Sequence, residues 1–246
     1  MTYRPRIARP QLLVRDRAQT IRLEVWDDLA LIEPTAGTVT IYDGNGDVVT
    51  TGAATVTARV ATFAISAATL PTTLALSDAW RITWELTIDG AAQRFEQMAA
   101  LVRAGWLETV TPGDLIARHQ ELAAGRELDP QQEGGATTLG GFIEEASTEL
   151  FTRLWTDGKR PWLILDTWTT RRFIIPQALA LAFRWASTFS EQTSRLAAAA
   201  DTYDEAANEA YDVLQFRYDA AETGSVADAV RISAADMAVL SAGRRP

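Results

Sequence analysis

Few residues in this 246-residue chain have the side chains needed for acid–base, nucleophilic or metal chemistry. It contains no cysteine, which excludes disulfides, thiolate metal ligands and thiol nucleophiles. Its single histidine, His119, has no serine or cysteine nucleophile pattern beside it, so we interpret it as a surface or packing residue. The motifs of serine hydrolases, zinc proteases and nucleotide-binding loops are also absent from the sequence. We therefore expect a protein that is not an enzyme and that uses no cofactor or metal.

Acidic residues occur in two patterns that could bind a cation. The run Asp43-Gly-Asn45-Gly-Asp47 is similar to the start of a calcium-binding loop, but the residue seven positions after Asp47 is Ala54, not an acid. We therefore interpret this run as a hairpin turn. The other pattern is a set of carboxylates on predicted helices: Glu144, Glu145, Glu149, Asp201, Asp204, Glu205 and Glu209. Because no Glu-x-x-His partner accompanies them, we predict a solvated face or a negative surface offered to a partner.

Tryptophan and arginine are concentrated in one part of the second half of the chain. Tryptophan fills small helical cores, but tryptophan and arginine are also enriched in the residues that dominate protein interfaces. Both interpretations remain open from the sequence. The tryptophans concerned are Trp155, Trp162, Trp168 and Trp185, near Lys159-Arg160 and Arg171-Arg172. Of these, Trp155, Trp162 and Trp168 are our candidate partner-interface residues.

The distribution of charge divides the chain into two parts. The net charge is 23 − 32 = −9. Residues 1–105 hold 10 basic and 11 acidic groups, a net of −1, whereas residues 106–246 hold 13 and 21, a net of −8. This contrast indicates two domains, and the overall charge predicts repulsion from nucleic acid and from anionic membranes. Because the sequence shows neither a secretory signal nor a run long enough to span a membrane, we expect a soluble protein made in the cytoplasm.

The first 105 residues are predicted to form an antiparallel β-sandwich. Apolar residues recur at every second position, which is typical of a strand with one buried face. Asp43–Asp47 and Asp89-Gly90 are hairpin turn signals. The strands are spaced about 8–12 residues apart, as in sandwiches. The predicted strands are Leu12–Val14, Ile21–Trp26, Thr38–Tyr42, Val48–Thr51, Ala58–Ile65, Trp80–Ile88 and Gln93–Val102.

The remainder is predicted to be a linker (106–112), a small α-helical domain (113–225) and a C-terminal docking tail (226–246), so the fold class is α+β multidomain. Thr111-Pro-Gly-Asp114 is an N-terminal capping signal, and 125–141 is predicted to be a mobile loop. Residues 161–165 fit a helical turn or a strand equally well. The predicted helices span 112–123, Phe142–Trp155, Arg172–Phe189 with Pro176 in its first turn, and Ser190 to the region of Arg217-Tyr218.

The tail carries a second capping signal. Ser233-Ala-Ala-Asp236 predicts a terminal helix over Ala234–Ala242, followed by two arginines. The tail could be an ordinary frayed end, or a helix with a basic tip that folds onto a neighbour. For the second alternative, the candidate interface residues are Ala234, Met237, Leu240, Arg244 and Arg245. We expect deletion of residues 226–246 to leave a folded protein that cannot join its partner.

The second half of the chain resembles a known family over about residues 110–225. Its order of a capped short helix, a loop, two helices and a final helix running into Tyr211–Asp219 and Gly224 resembles the head-to-tail connector (adaptor) proteins of tailed bacteriophages. The first 105 residues lie outside the minimal adaptor pattern. They resemble the immunoglobulin-like modules that are appended to many virion proteins.

The resemblance implies a non-enzymatic virion protein that joins capsid to tail. Members form a ring, commonly of twelve copies, beneath the portal protein and above a tail-completion or stopper protein, and the ring lines part of the channel through which double-stranded DNA passes. It also implies a location in the virion neck after assembly in the bacterial cytoplasm, with the terminal segment docking onto the portal. An acidic channel wall suits DNA transit, because a basic wall would bind phosphates.

A different class of function remains as the alternative: a carbohydrate- or surface-binding module of a phage tail or baseplate. In that case the β-sandwich would bind glycans through exposed Trp26, Trp80 or Trp84. Strand alternation places Trp80 and Trp84 on the same face as Ile82 and Leu86. We therefore expect both rings to be buried, which disfavours the alternative.

Overall fold

The computed structural model describes residues 3–5, 9–27, 30–106, 109–130, 138–188, 192–223 and 229–234. It contains both helices and antiparallel β-sheets, as expected for the α+β class. The chain divides into two compact units, Met1–Trp106 and Leu107–Pro246. This division falls at the start of the predicted linker.

The first unit consists of two five-stranded sheets. One has the order β1-β3-β8-β7, with β4 also paired to β3, and the other has the order β2-β10-β9-β5-β6. Among the described residues of this unit, the strand pairings are antiparallel except that of β2 with β10. A short 3₁₀-helix spans Ala67–Thr69. The strands are β1 (Tyr3–Pro5), β2 (Gln11–Val14), β3 (Gln19–Asp27), β4 (Ala30–Ile32), β5 (Ala36–Tyr42), β6 (Val48–Ala53), β7 (Thr55–Thr57), β8 (Val60–Ile65), β9 (Ser77–Ile88) and β10 (Ala91–Val102).

All seven predicted strands are present, and both predicted hairpins are confirmed. Between β5 and β6, Asp43 Oδ1 accepts hydrogen bonds from the backbone N–H groups of Asn45 and Asp47, both at 2.9 Å. Between β9 and β10, Asp89 and Gly90 have φ angles of 51° and 77°, the left-handed geometry of a tight hairpin turn. The three strands missed from the sequence, β1, β4 and β7, have three residues each, too few to show an alternating pattern.

Buried residues of both sheets form one hydrophobic cluster. Trp84 lies at its centre with no exposed surface and pairs across the sheet with Val39 and Phe95. Its indole Nε1 donates a hydrogen bond to Gln97 Oε1 at 3.3 Å, which satisfies the one polar group that the ring buries. Trp80 is also buried, as the alternation predicted.

The second unit contains α1 (Pro112–Ile116), α2 (Leu139–Thr156), α3 (Arg171–Ala186) and α4 (Thr193–Asp212), followed by β11 (Gln215–Tyr218) and β12 (Val230–Ser233). Short 3₁₀-helices span Gln120–Leu122, Pro161–Leu163 and Thr167–Thr170. α3 contacts both α2 and α4 and is buried on nearly every side. The predicted helix over 112–123 is interrupted between α1 and the first of these 3₁₀-helices. Pro176 lies in the second turn of α3, because the helix begins at Arg171.

The prediction that the last helix reaches Arg217-Tyr218 was wrong. α4 ends at Asp212, and in β11 Phe216 and Tyr218 are buried while Gln215 and Arg217 are exposed, an alternation that only a strand produces. Residues 161–165 use both conformations left open by the sequence. A 3₁₀ turn over Pro161–Leu163 is followed by a bridge in which Leu165 N–H donates to Arg217 O at 3.0 Å.

Part of the predicted tail belongs to the folded unit. β12 pairs antiparallel with β11, and the N–H of Ala234 donates to Leu214 O at 2.7 Å. Ser233, the predicted N-cap, is the last residue of this strand. The rest of the predicted terminal helix and seven residues of the loop predicted over 125–141 (131–137) lie outside the described residues, whereas 128–130 are buried and 139–141 belong to α2.

Replacement of the central tryptophan tests the first unit's core. We expect Trp84→Ala to lower the free energy of unfolding of this unit by about 3–5 kcal/mol, because the cavity cannot close fully. Chemical denaturation of the full chain, with hydrogen exchange in β9 and β10, measures the loss. Met98→Ala is the control, since Met98 on β10 is 58% exposed and its truncation should change stability by less than about 0.5 kcal/mol. Equal losses in the two variants would contradict the assignment of Trp84 to the core.

Candidate interaction surface

Trp168 is the most exposed of the candidate tryptophans. It lies on the 3₁₀-helix that precedes α3, and 67% of its surface is exposed. The guanidinium carbon of Arg171 lies 4.2 Å from the centre of its ring. A cation stacked on an indole at this distance is attracted by the negative face of the ring, which contributes about 0.5–1 kcal/mol at an exposed position. The contact therefore favours one orientation of the ring, although the ring faces solvent.

Arg171 is itself anchored to residues far away in the sequence. Its guanidinium donates to the carbonyl of Thr109 and to both carboxylate oxygens of Asp114, with Nη1 lying 3.2 Å from Oδ2. A bidentate contact of this kind is geometrically specific, because the planar guanidinium matches the planar carboxylate. The first turn of α3 is thus tied to the start of α1.

Asp114 is held in its charged form. The hydrogen bond from Arg171, followed by that from the backbone N–H of Thr111 at 2.8 Å, lowers the pKa of Asp114 to about 2. The hydroxyl of Thr111 donates to the same carboxylate at 2.9 Å. The predicted capping signal Thr111–Asp114 is therefore confirmed, but its acid also supports a distant arginine. We call Trp168, Arg171, Asp114, Thr109 and Thr111 the Trp168 platform.

Trp155 and Trp162 have a mainly structural environment. Both are half-buried, and their ring centres lie 5.2 Å apart. The ring centre of Phe151, one turn earlier on α2, lies 6.2 Å from that of Trp162. These contacts join α2 to the segment that follows it, so the two rings pack inside the unit and present only part of their surface to a partner.

Ala234 is fully buried, so its side chain belongs to the interior of the second unit and not to a partner surface. Its carbonyl accepts a hydrogen bond from Nζ of Lys159, which is the chain's single lysine and is 5% exposed. Burial of a charged ammonium costs free energy unless acceptors surround it. The carbonyl of Ala234 therefore ties the end of β12 to the segment after α2. The remaining candidates, Met237, Leu240, Arg244 and Arg245, lie outside the described residues.

His119 packs between helices. Its Nε2 lies 2.5 Å from the hydroxyl of Tyr203, and its ring meets Phe183 edge-on with centres 4.8 Å apart. Its Nδ1 is 3.4 Å from a carboxylate oxygen of Glu121. The packing interpretation of the single histidine is thus confirmed, and its ring connects the segment after α1 to α3 and α4.

One predicted surface acid is part of an internal network that the sequence did not reveal. Glu149 accepts from Arg153 at 2.6 Å and from Gln177 at 2.6 Å, and Arg153 also donates to Asn208 at 2.7 Å. The network links α2, α3 and α4. Beside it, burial and then a hydrogen bond to Asp157 raise the pKa of Tyr211. Glu149 is therefore structural, whereas Glu144, Glu145, Asp201, Glu205 and Glu209 are exposed.

Three further expectations from the sequence concern tryptophan exposure, metal binding and membrane insertion. Trp80 and Trp84 are buried in the first unit and Trp26 is half-buried, so the first two cannot stack on a sugar. Among the described residues, no three His, Cys, Asp or Glu side chains form a group that could hold a metal ion. Within the same ranges, no helix is both long and apolar enough to cross a membrane.

Comparison of the chain with models of protein families found no match, and comparison with curated protein sequences found none either. The interpretation of the surface therefore depends on its own residues.

The ion pair of the Trp168 platform predicts a pH-dependent stability. Because the pKa of Asp114 is lower in the folded chain than the ordinary value near 3.8, its contribution is present above about pH 4 and is lost as the pH falls through about 2. We expect Asp114→Asn to reduce the free energy of unfolding by about 1 kcal/mol at neutral pH, since solvent screens a pair that is partly exposed. The difference from wild type should shrink as the pH falls below about 4 and disappear below about pH 2. Denaturant titrations across this range measure it.

Asp201→Asn is the matched control, because it removes an exposed carboxylate for which no ion pair with a described residue is found. This variant should follow the wild type throughout the titration. If Asp114→Asn lowered the free energy of unfolding by the same amount at every pH, the loss would come from helix capping alone and not from the charge pair.

The position of β12 predicts different outcomes for two C-terminal deletions. Removal of 226–246 takes away β12 and the carbonyl that accepts from Lys159, so we expect it to destabilise the second unit by about 2–4 kcal/mol. Removal of 235–246 leaves both in place and should preserve the unit's thermal transition. Circular dichroism melting curves of the two deletions make the comparison. This expectation replaces the one drawn from the sequence, and equal melting temperatures would contradict it.

Proposed function

We propose that this protein is a virion structural adaptor that joins the capsid to the tail of a tailed bacteriophage. In this role it forms a ring under the portal protein and contributes to the channel for double-stranded DNA. The observation that carries the proposal is the Trp168 platform, an exposed tryptophan held in place by an anchored arginine. Such a surface is suited to binding another protein.

The platform has the physical features of an interface anchor. A 67% exposed indole leaves a large apolar area in water, and burying that area in a partner releases free energy. The contacts between Arg171 and Asp114 fix the ring's support before binding, so little additional ordering is required on association. Tryptophan and arginine are also the residues most enriched among those that dominate binding energy.

The first unit supports the idea of an appended immunoglobulin-like module. The orders β1-β3-β8-β7 and β10-β9-β5 correspond to the A-B-E-D and G-F-C sheets of immunoglobulin-type sandwiches. β6 extends the second sheet as an additional strand does in variable-type domains. The chain has no cysteine, so the disulfide that joins the two sheets in many immunoglobulin domains cannot form, and the two sheets share an apolar core that contains Trp84.

The second unit supports the adaptor part of the proposal. α3 is buried between α2 and α4, and α4 presents many small residues and acids outward. Residues 106–246 have a net charge of −8, and an acidic wall would not retain DNA phosphates in a channel. The proposed partners are copies of the same chain, in a ring expected to hold twelve, together with the portal and a tail-completion or stopper protein. That the segment from residue 235 onward docks onto the portal remains a prediction.

Immunogold electron microscopy of virions from the phage that encodes the chain tests the location. We expect label at the neck, between capsid and tail. Particles that contain the protein only in the tail tip or baseplate would favour a surface-binding module, and particles without it would contradict the proposal.

The Trp168 platform predicts a binding defect without a folding defect. We expect Trp168→Ala to weaken association with the portal by at least about tenfold, because an interface anchor is lost, while the free energy of unfolding falls by no more than about 1 kcal/mol, the contribution of the contact with Arg171. Interferometry with immobilised portal measures the affinity. Arg171→Lys should weaken portal binding to an intermediate degree, since lysine cannot make the bidentate contact with Asp114.

Met98→Ala serves as the matched control, since it truncates another exposed apolar side chain on the other unit. It should bind the portal like the wild type. Unchanged portal affinity in Trp168→Ala would remove the platform from the interface.

A further inference from the structure

The hairpin of β11 and β12 places two arginines directly opposite each other. Arg217 pairs with Arg231 in the register, and both side chains are exposed. Their neighbours on the same face, Gln215 and Ser233, are uncharged. Neither arginine forms an ion pair with a residue that the structure describes. Like charges directly across an antiparallel pair are destabilising, so this arginine pair (Arg217 and Arg231) lacks a compensating anion within the described chain.

α4 carries the opposite charge in an equally unfavourable arrangement. Asp201, Glu205, Glu209 and Asp212 are all exposed and follow one face of the helix at spacings of four, four and three residues. Like charges at these spacings repel each other. The row also runs into the C-terminal end of α4, where the helix dipole disfavours negative charge. We refer to these four residues as the acidic row.

The two features are opposite in charge and compatible in spacing. Arginines opposite each other in an antiparallel pair have Cβ atoms about 4.5–5.5 Å apart. Acids four residues apart on a helix are separated by about 6 Å along its axis. Two guanidinium groups can therefore meet two successive carboxylates, with the charge-assisted geometry that arginine favours.

We propose that the acidic row of one copy docks on the arginine pair of a second copy of this chain. The proposal deepens the proposed function and rests on it, because the ring supplies the neighbouring copy. The patches that meet are different, so the contact can repeat from copy to copy, and it closes into a ring when the rotation between neighbours allows. One contact relieves both sets of like-charge repulsion.

A second copy fits these observations better than nucleic acid does. Phosphates could neutralise the arginine pair, but they would leave the acidic row unrelieved. They would also approach a segment whose net charge is −8, which repels polyanions. In contrast, every copy of the chain carries one acidic row and one arginine pair.

Charge reversal on each side tests the contact, measured by sedimentation velocity of the full chain over a range of concentrations. Arg217→Glu with Arg231→Glu, or Glu205→Arg with Glu209→Arg, should each weaken self-association by at least about tenfold, and added salt should weaken the wild type. The chain that combines all four substitutions should associate within about threefold of the wild type. A defect of folding would not be rescued in this way.

Arg118→Glu with Arg126→Glu is the matched control, because it reverses two exposed arginines of the same unit and should leave association unchanged. Three results would overturn the contact: a wild type that stays monomeric, association that persists in both reversed variants, or loss that the combined chain does not restore. Binding of a short DNA duplex by wild type but not by Arg217→Glu with Arg231→Glu would assign the arginine pair to phosphates instead.

The two proposals fail in different ways. A wild type that associates through other residues contradicts this contact and leaves the proposed adaptor ring intact. Virion necks that lack the protein contradict the adaptor function, whatever the charge-reversal series shows.

Discussion

The burial of α3 on nearly all sides is the constraint on which the second unit depends. A helix with so little exposed surface must be covered by neighbours, and α2 and α4 provide most of that cover. Arg171 begins the helix, where its side chain can still reach solvent and α1. Its contact with Asp114 therefore orients the first turn of α3 and supports Trp168 at the same time. The position of Arg171 at the start of α3 therefore affects both the packing of the helix and the support of the exposed Trp168 ring.

Local pattern was sufficient to predict the strands of four or more residues in the first unit, because alternation in β3 or β9 records burial of one face directly, but it missed the three-residue strands. It was not sufficient at the end of α4. The helical spacing of apolar residues continues through Ala207, Ala210 and Leu214 towards Tyr218, but a strand forms there because β12 and the segment around Leu165 pair with it. Trp168 could be selected by residue type, but its support could not be predicted. Arg171 and Asp114 are 57 residues apart, and no local spacing relates them.

The acidic residues of the second unit separate into two groups that sequence alone treats as equal. Glu149 lies among Arg153, Gln177 and neighbouring helices, where hydrogen bonds compensate for partial burial. Asp201, Glu205 and Glu209 face solvent along α4. Helical periodicity places both groups on plausible outer faces, and only the positions of α2 and α4 around α3 determine which acids are internal. The exposed carboxylates of α4 therefore remain available to act on partners.

The two surfaces proposed for binding differ in the force that each uses, and this has a consequence for assembly. Burial of Trp168 depends on the removal of apolar area from water, which salt does not screen. Contact between the acidic row and the arginine pair is electrostatic at exposed positions and weakens as ionic strength rises. Because separate residues supply them, one copy can engage a neighbour and a different protein together. A structural adaptor needs this capacity, since it must hold its own ring while it connects two larger assemblies.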